Sequence, residues 1–267
     1  MARWIPVMVT LGLAAALGVS HFFGFGPVGV AAAVVVAAFA YGWPRLTDSP
    51  QPRVTSLMLF GFGLVGMVSV WLVPELPYLE WLPILTGIGL LWAFLQNLAR
   101  GVEAKDAVAN VSAQVSGLVI SLATASWVAG FRVPGDREAV VVGLVAIILA
   151  QFATAMPWPA RYTSPLAVGI GLLGGGATGA LFSSGSLGIL TAMLLGAILG
   201  LLVASVDRML GMIADSRYQA RKLRESRTLE DAKAKARRAA VHLAIGAAPI
   251  ALGGIVVHVL ARIFVFR

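Results

Sequence analysis

The stretch that decides the fold runs from residue 187 to residue 262: LGILTAMLLGAILGLLVASV (187–206), DRMLGMIADSRYQARKLRESRTLEDAKAKARRA (207–239) and AVHLAIGAAPIALGGIVVHVLAR (240–262). The first and third parts are apolar over about 20 residues, which is the length needed to cross a hydrocarbon core about 30 Å thick. The middle part holds ten of the 20 Lys and Arg residues of the chain. This pattern predicts two membrane-spanning helices on either side of a basic cytoplasmic segment.

The composition of the whole chain agrees with a membrane protein. Hydrophobic residues make up 59% of it and charged residues 12%, whereas charged residues are about 25% of an ordinary soluble domain. The absence of cysteine excludes disulfides and thiolate metal sites. The net charge of +8 is concentrated in one segment, so we predict no nucleic-acid partner.

The apolar stretches predict an all-α, polytopic transmembrane helical bundle. We place about nine spans, at 4–23, 25–43, 54–73, 80–98, 108–130, 139–156, 165–183, 187–206 and 240–262. The first stretch is followed directly by a second apolar block, so we expect it to stay as a helix and not to be cleaved as a signal peptide.

The distribution of basic residues predicts the orientation. With a cytoplasmic N-terminus, the inner loops hold 16 Lys and Arg and the outer side holds four: Arg132, Arg137, Arg262 and Arg267. Only an odd number of spans gives this alternation, so the positive-inside pattern favours nine and places the C-terminus outside. The sequence is typical of a multi-pass protein of the plasma membrane, specifically a bacterial inner membrane.

Three regions follow from these spans. Residues 1–206 form an eight-span membrane domain, 207–239 a basic cytoplasmic helical hairpin, and 240–267 a ninth helix that packs on the membrane domain. The hairpin is predicted because the segment has no Gly or Pro after Gly211, and Thr228 with Asp231 can cap a second helix.

The basic segment has two interpretations. It can serve only to enforce topology, or it can bind anionic lipid head groups or a partner, since each basic residue near an anionic leaflet contributes about 1 kcal/mol. The candidate lipid- or partner-binding residues are Arg217, Arg221, Lys222, Arg224 and Arg227.

Polar residues mark one face of the fifth span, and Gln151 lies in the sixth. Buried amides in a bilayer usually bond to neighbouring helices, which favours helix packing. The alternative is a polar cavity for a substrate. The candidate cavity residues are Asn110, Gln114, Ser121 and Gln151.

Glycines recur at four-residue steps in the seventh and eighth spans, as in Gly171, Gly175 and Gly179. This spacing favours close helix packing, and helices broken near Pro249 or at residues 174–176 are the alternative. His242 and His258 are more than four turns apart, so they do not share a metal ion.

No Asp or Glu occurs between Glu138 and Asp207. No pair of carboxylates can therefore hold Mg²⁺ in that part of the chain. The sequence also has no phosphate-binding loop and no nucleophile beside a base, so we predict no catalytic residue, no metal and no cofactor.

The second half of the chain resembles the phosphatidate cytidylyltransferases, the CDP-diacylglycerol synthases. Ser164-Pro165, Gly174-Gly175-Gly176, Asp207-Arg208 and Ala247-Ala248-Pro249 match short motifs of that family in order. The chain lacks the family's lysines after Ser-Pro, its Asn-Asp pair and the Gly-Gly and second Asp of its signature. The resemblance therefore implies a catalytically degenerate relative.

These features favour a non-enzymatic plasma-membrane protein, a scaffold, assembly or regulatory partner whose basic segment engages anionic lipid or a partner. A permease or lipid translocator with a polar cavity is the alternative, and an active lipid cytidylyltransferase is the third. The expected partners are membrane lipids, with a protein partner or a homo-oligomer as further options.

Overall fold

The computed structural model describes residues 4–99, 104–133, 136–182, 187–222 and 231–265. Within these ranges the chain is helical and contains no strand, which confirms the predicted all-α class for this part of the protein. The helices are α1 (Trp4–Phe23), α2 (Phe25–Leu46), α3 (Pro52–Leu72), α4 (Leu82–Leu98), α5 (Ala104–Ala123), α6 (Ala125–Arg132), α7 (Asp136–Ala155), α8 (Ala160–Leu181), α9 (Ile189–Lys222) and α10 (Asp231–Val265).

Among the described residues there are eight candidate membrane-spanning helices, as expected of a multi-pass membrane protein. Helices α5 and α6 count as one of them, because they form a single apolar stretch from Ala107 to Arg132. Helix α4 corresponds to the predicted fourth span but has only 17 residues. At 1.5 Å per residue it is about 25 Å long, the lower limit for a span. The count of nine depends on α4 and stays a prediction.

The predicted fifth span is interrupted at Thr124, where α5 ends and α6 begins. The Thr124 N–H donates to the Ser121 carbonyl at 3.3 Å, and the Trp127 N–H donates to the Thr124 carbonyl at 3.2 Å. These bonds link residues three apart, so the helix tightens locally into a 3₁₀-type turn. Sequence periodicity gave no sign of this turn, which precedes the fully buried Trp127.

Helix α10 lies at the centre of the bundle, where it packs against α1, α2, α5, α6, α7 and α9. Its approach to α2 is close at Gly42, where a Cβ would lie 2.7 Å from the Ala244 side chain. Its approach to α1 is close at Gly246, where a Cβ would lie 2.6 Å from the Pro6 carbonyl oxygen. The last helix of the chain therefore joins the first helices to α7 and α9.

The antiparallel helices give the bundle two ends. We call the end at which α1, α3 and α10 begin the basic end, because Arg45, Arg53 and Arg237 lie there. Helices α3 and α6 end at the far end, where the Arg132 guanidinium donates to the Val70 and Val73 carbonyls. That the basic end faces the cytoplasm stays a prediction.

Helices α8 and α9 are in contact at the glycines singled out in the sequence. A Cβ on Gly171 would lie 2.5 Å from the Gly196 carbonyl oxygen, and one on Gly200 would lie 2.5 Å from the Ala167 carbonyl oxygen. Close packing is thereby confirmed. The alternative of broken helices is wrong, because α8 continues through residues 174–176 and α10 through Pro249.

Two buried tryptophans each donate a hydrogen bond to a carbonyl of a neighbouring helix, at a position where a glycine leaves room for the indole ring. Trp43 Nε1 donates to the Ala113 carbonyl of α5 at 2.8 Å, and Trp127 Nε1 donates to the Ile250 carbonyl of α10 at 2.8 Å. In both cases the residue four positions after the acceptor is a glycine, Gly117 or Gly254. A Cβ there would lie 2.5 Å or 2.8 Å from the indole nitrogen.

A glycine-to-alanine comparison tests this packing. In Gly196→Ala the new methyl overlaps the Gly171 carbonyl oxygen, so we expect a loss of about 1–3 kcal/mol in the free energy of unfolding. Gly12→Ala is the control, since no atom lies within 4 Å of its Cβ position and the change removes backbone freedom. Measured by thermal unfolding in detergent, the Tm of Gly196→Ala should be lower than that of the wild type, and the Tm of Gly12→Ala should not. Equal Tm values would contradict the assigned contact.

Candidate functional site

A cluster of amide side chains joins three helices near the basic end. We call it the amide cluster; it consists of Gln51, Thr55, Gln96, Asn97 and Gln114. Gln114 of α5 is at its centre: its Nε2 donates to Thr55 Oγ1 at 3.4 Å and to Gln96 Oε1 at 3.3 Å. Its Oε1 accepts from Asn97 Nδ2 at 3.0 Å. Gln114 therefore bonds to both α3 and α4, as the packing interpretation predicts.

The other members extend the network to the loop that precedes α3. Gln96 Nε2 donates to Gln51 Oε1 at 3.4 Å, and the hydroxyls of Thr55 and Ser49 lie 3.0 Å apart. Asn97 also donates to the Ala93 carbonyl at 2.8 Å, so both of its N–H groups have acceptors. Its Oδ1 is buried and has no donor among the residues that the structure describes. A buried acceptor in this state is a position for an N–H or O–H group from a water or a ligand.

The other candidate cavity residues lie apart from this cluster. Ser121 is completely buried at the turn between α5 and α6, and its hydroxyl has no partner within the described ranges. Asn110 is half-buried in α5, one turn before Gln114. Gln151 is 1% exposed in α7, which packs mainly against α8, α9, α1 and α10, and no described residue donates to its Oε1. The structure joins Gln114 to partners on α3 and α4, and places Gln151 on a helix that packs elsewhere.

The basic segment begins as a direct continuation of α9. This helix has 34 residues and is about 51 Å long, so about 20 Å of it extends past a 30 Å hydrocarbon core. Arg217 is exposed on this extension, and the backbone of Arg221 and Lys222 is helical. Arg224 and Arg227 lie outside the described residues, as does Thr228, the predicted cap of the second helix of the hairpin.

The first turns of the extension are apolar on one side and charged on another. Met209 and Met212 are each 59% exposed, and they continue the outward-facing stripe of Leu194 and Leu201. Arg208 beside them is also exposed. Apolar side chains next to a guanidinium fit the boundary between acyl chains and head groups, where a long basic side chain keeps its charge in water.

The start of α10 is held by the loop between α2 and α3. Arg237 forms an ion pair with Asp48, and its guanidinium donates to the Arg45 carbonyl at 2.9 Å. Asp48 has a φ of 57°, a left-handed conformation that Asp tolerates better than most residues. The Ser49 N–H donates to the Pro44 carbonyl at 2.8 Å and closes the turn. The loop between α2 and α3 therefore holds the first turns of α10, where the basic segment ends.

The histidines do not form a metal centre. No group of three His, Cys, Asp or Glu side chains suited to a metal ion occurs in the part of the chain that the structure describes. His21 Nδ1 lies 2.8 Å from the Leu17 carbonyl oxygen, and its ring packs against Phe131 at 5.8 Å between centroids. Helix packing accounts for the position of His21.

Sequence reasoning missed several residues of the site. Thr55, Gln51 and Asp48 gave no signal as partners, because each is a common residue at the start of a helix or in a turn. Gln96 and Asn97 were noticeable as two amides at the end of one apolar stretch. Their pairing with Gln114, 18 and 17 residues later, needs the antiparallel arrangement of α4 and α5.

Replacing Gln114 with Leu tests what the amide cluster does. The change removes one of the two acceptors of the Asn97 amide and the donor to Thr55 and Gln96, so we expect a loss of about 1–3 kcal/mol in stability. Asn110→Leu on the same helix is the control, and it should change the Tm in detergent little. A Gln114→Leu protein with the wild-type Tm would contradict a packing role and favour a polar substrate site.

Comparison with known proteins gives no family model that matches this chain, and no curated protein or solved structure that is similar to it. The resemblance to the CDP-diacylglycerol synthases therefore stays a prediction. Of its motifs, Ser164-Pro165 lies in the second turn of α8, which begins at Ala160, and Pro249 lies inside α10.

Proposed function

We propose that this protein is a non-enzymatic multi-pass membrane protein whose basic segment binds anionic lipid head groups at the cytoplasmic surface. It would act as a scaffold, assembly or regulatory partner at that surface. The observation that carries the proposal is the continuity of α9, one helix from its apolar span to Lys222. A continuous helix transmits the position of the basic side chains directly to the membrane domain.

The exposed side chains of α9 support a lipid surface as the binding partner. Met209 and Met212 can enter the acyl boundary while Arg208 and Arg217 reach the phosphates. Anionic head groups attract each basic residue near the surface by about 1 kcal/mol. Several basic residues on one helix therefore attract the anionic surface more strongly than a single arginine does.

The anchor at the start of α10 also supports the proposal. Since Arg237 is bonded to Asp48, this arginine serves the fold, and the lipid-binding role falls to Arg217, Arg221 and Lys222. Helices α9 and α10, which lie on either side of residues 223–230, pack against each other.

A permease or lipid translocator is the second candidate. It is favoured by the buried oxygens of Asn97 and Gln151, which have no donor within the described ranges. The Gln114→Leu variant separates the two functions: a permease loses substrate movement at unchanged stability, and a packing role predicts a lower Tm.

Neutralising the basic residues in the last turns of α9 tests the main proposal. In the triple variant Arg217→Gln, Arg221→Gln and Lys222→Gln, we expect the anionic phospholipid retained per protein in mild detergent to fall by about fivefold or more. Mass spectrometry of the extracted lipid gives this ratio, with zwitterionic lipid as the internal reference. Gln219→Ala, an exposed neutral position on the same helix, is the control. Wild-type retention in the triple variant would contradict the proposal.

A further inference from the structure

A groove separates α3 from α4 on the outer surface of the bundle. Its volume is about 310 Å³, at the small end of the range for ligand pockets. On the α3 side the groove is lined by Val54, Leu57, Gly61 and Val65, and on the α4 side by Trp92. Every residue that lines the groove is apolar, so within a bilayer it takes an apolar chain.

Contacts with neighbouring residues define the two ends and the bottom of the groove. Near the far end, a Cβ on Gly66 would lie 3.4 Å from the Leu82 side chain, so α3 and α4 are close there. At the basic end, Gln96 of α4 is hydrogen-bonded to Gln51, the residue before α3. Helix α5 packs against both α3 and α4. The space is therefore a surface groove that runs along the two helices.

The length of the groove matches one leaflet. Val54 and Val65 are 11 positions apart on a helix, a rise of about 16 Å. This is about half of a 30 Å hydrocarbon core. Gly61 lies between them, and no atom is found within 4 Å of its Cβ position. An acyl chain that enters at the basic end can therefore run to the middle of the bilayer.

A positively charged residue lies at the basic end of α3, one position before the groove begins. Arg53 directly precedes Val54 and is exposed, and its guanidinium has no ion pair or hydrogen bond among the residues that the structure describes. It lies in the first turn of α3, where the helix dipole adds to the positive potential. An anionic head group attached to a chain in the groove would meet this charge.

We propose that this groove holds one acyl chain of an anionic phospholipid whose phosphate binds Arg53. The apolar walls accept the chain, and the guanidinium selects the charge. A second groove, of about 820 Å³, separates α1 from α2; neither lining is charged, but residues 4–44, which form the second groove, contain no Lys, Arg, Asp or Glu beside it. The α3–α4 site is separate from the basic segment and does not rest on the function proposed for it.

Two variants test the two halves of the site. Gly61→Leu places a large side chain in the groove at a position where no atom lies within 4 Å of the new Cβ, and Arg53→Gln removes the charge alone. Gly26→Leu is the matched control, since Gly26 lines the uncharged α1–α2 groove and its Cβ position is also open. All are made with Arg217, Arg221 and Lys222 already replaced by Gln, so that lipid held by the basic segment does not contribute.

Native mass spectrometry of these proteins, titrated with phosphatidylglycerol or phosphatidylcholine, counts the lipids that each one binds. With Arg53 and Gly61 in place, we expect one phosphatidylglycerol bound in preference to phosphatidylcholine. Arg53→Gln should lower that preference by about fivefold, Gly61→Leu should abolish the bound lipid, and Gly26→Leu should change neither.

Three results would overturn the site. The first is equal binding of the two lipids when Arg53 and Gly61 are present. The second is full phosphatidylglycerol binding by Gly61→Leu. The third is a change of oligomeric state in Gly61→Leu with lipid binding intact, which would assign the groove to a helix of a second copy.

Discussion

The close approach of helix backbones is the constraint on which the rest of this structure depends. Between helices in a bilayer the hydrophobic effect contributes little, so contact distance and hydrogen bonds decide the packing. Gly196 brings α9 against α8, and Gly42 brings α2 against α10. At Gly254 the missing side chain also lets the Trp127 indole reach a carbonyl of α10. The central place of α10 depends on these contacts.

Polar contacts then organise the basic end. The amide cluster ties α3, α4 and α5 together, and the Asp48–Arg237 ion pair ties the α2–α3 loop to α10. The two networks share this loop, since Ser49 bonds to Thr55 of the cluster. The end that carries most of the basic residues is therefore the end at which the helices are joined by polar side chains as well as by packing.

The two proposed lipid-binding sites both lie at the basic end, at different depths in the membrane. The extension of α9 would meet lipid phosphates outside the hydrocarbon core, and the α3–α4 groove would hold an acyl chain within it. Both place a guanidinium next to apolar side chains: Arg208 is next to Met209 and Arg217 follows Met212 on α9, and Arg53 precedes Val54 on α3. The chemistry that recognises the membrane is the same at both sites, and the difference lies in whether the lipid is held individually.

The sequence by itself determined the helical class, the approximate span boundaries and the glycine contacts, because apolar length and small-residue spacing are local properties of a helix. It also singled out Gln114 as an inward-facing polar residue. Only the tertiary structure decided that Gln114 meets Asn97 and Thr55, and that Gln151 lies on a helix that packs elsewhere. Such pairings depend on which helices are neighbours, and the hydropathy of one helix carries no information about its neighbours.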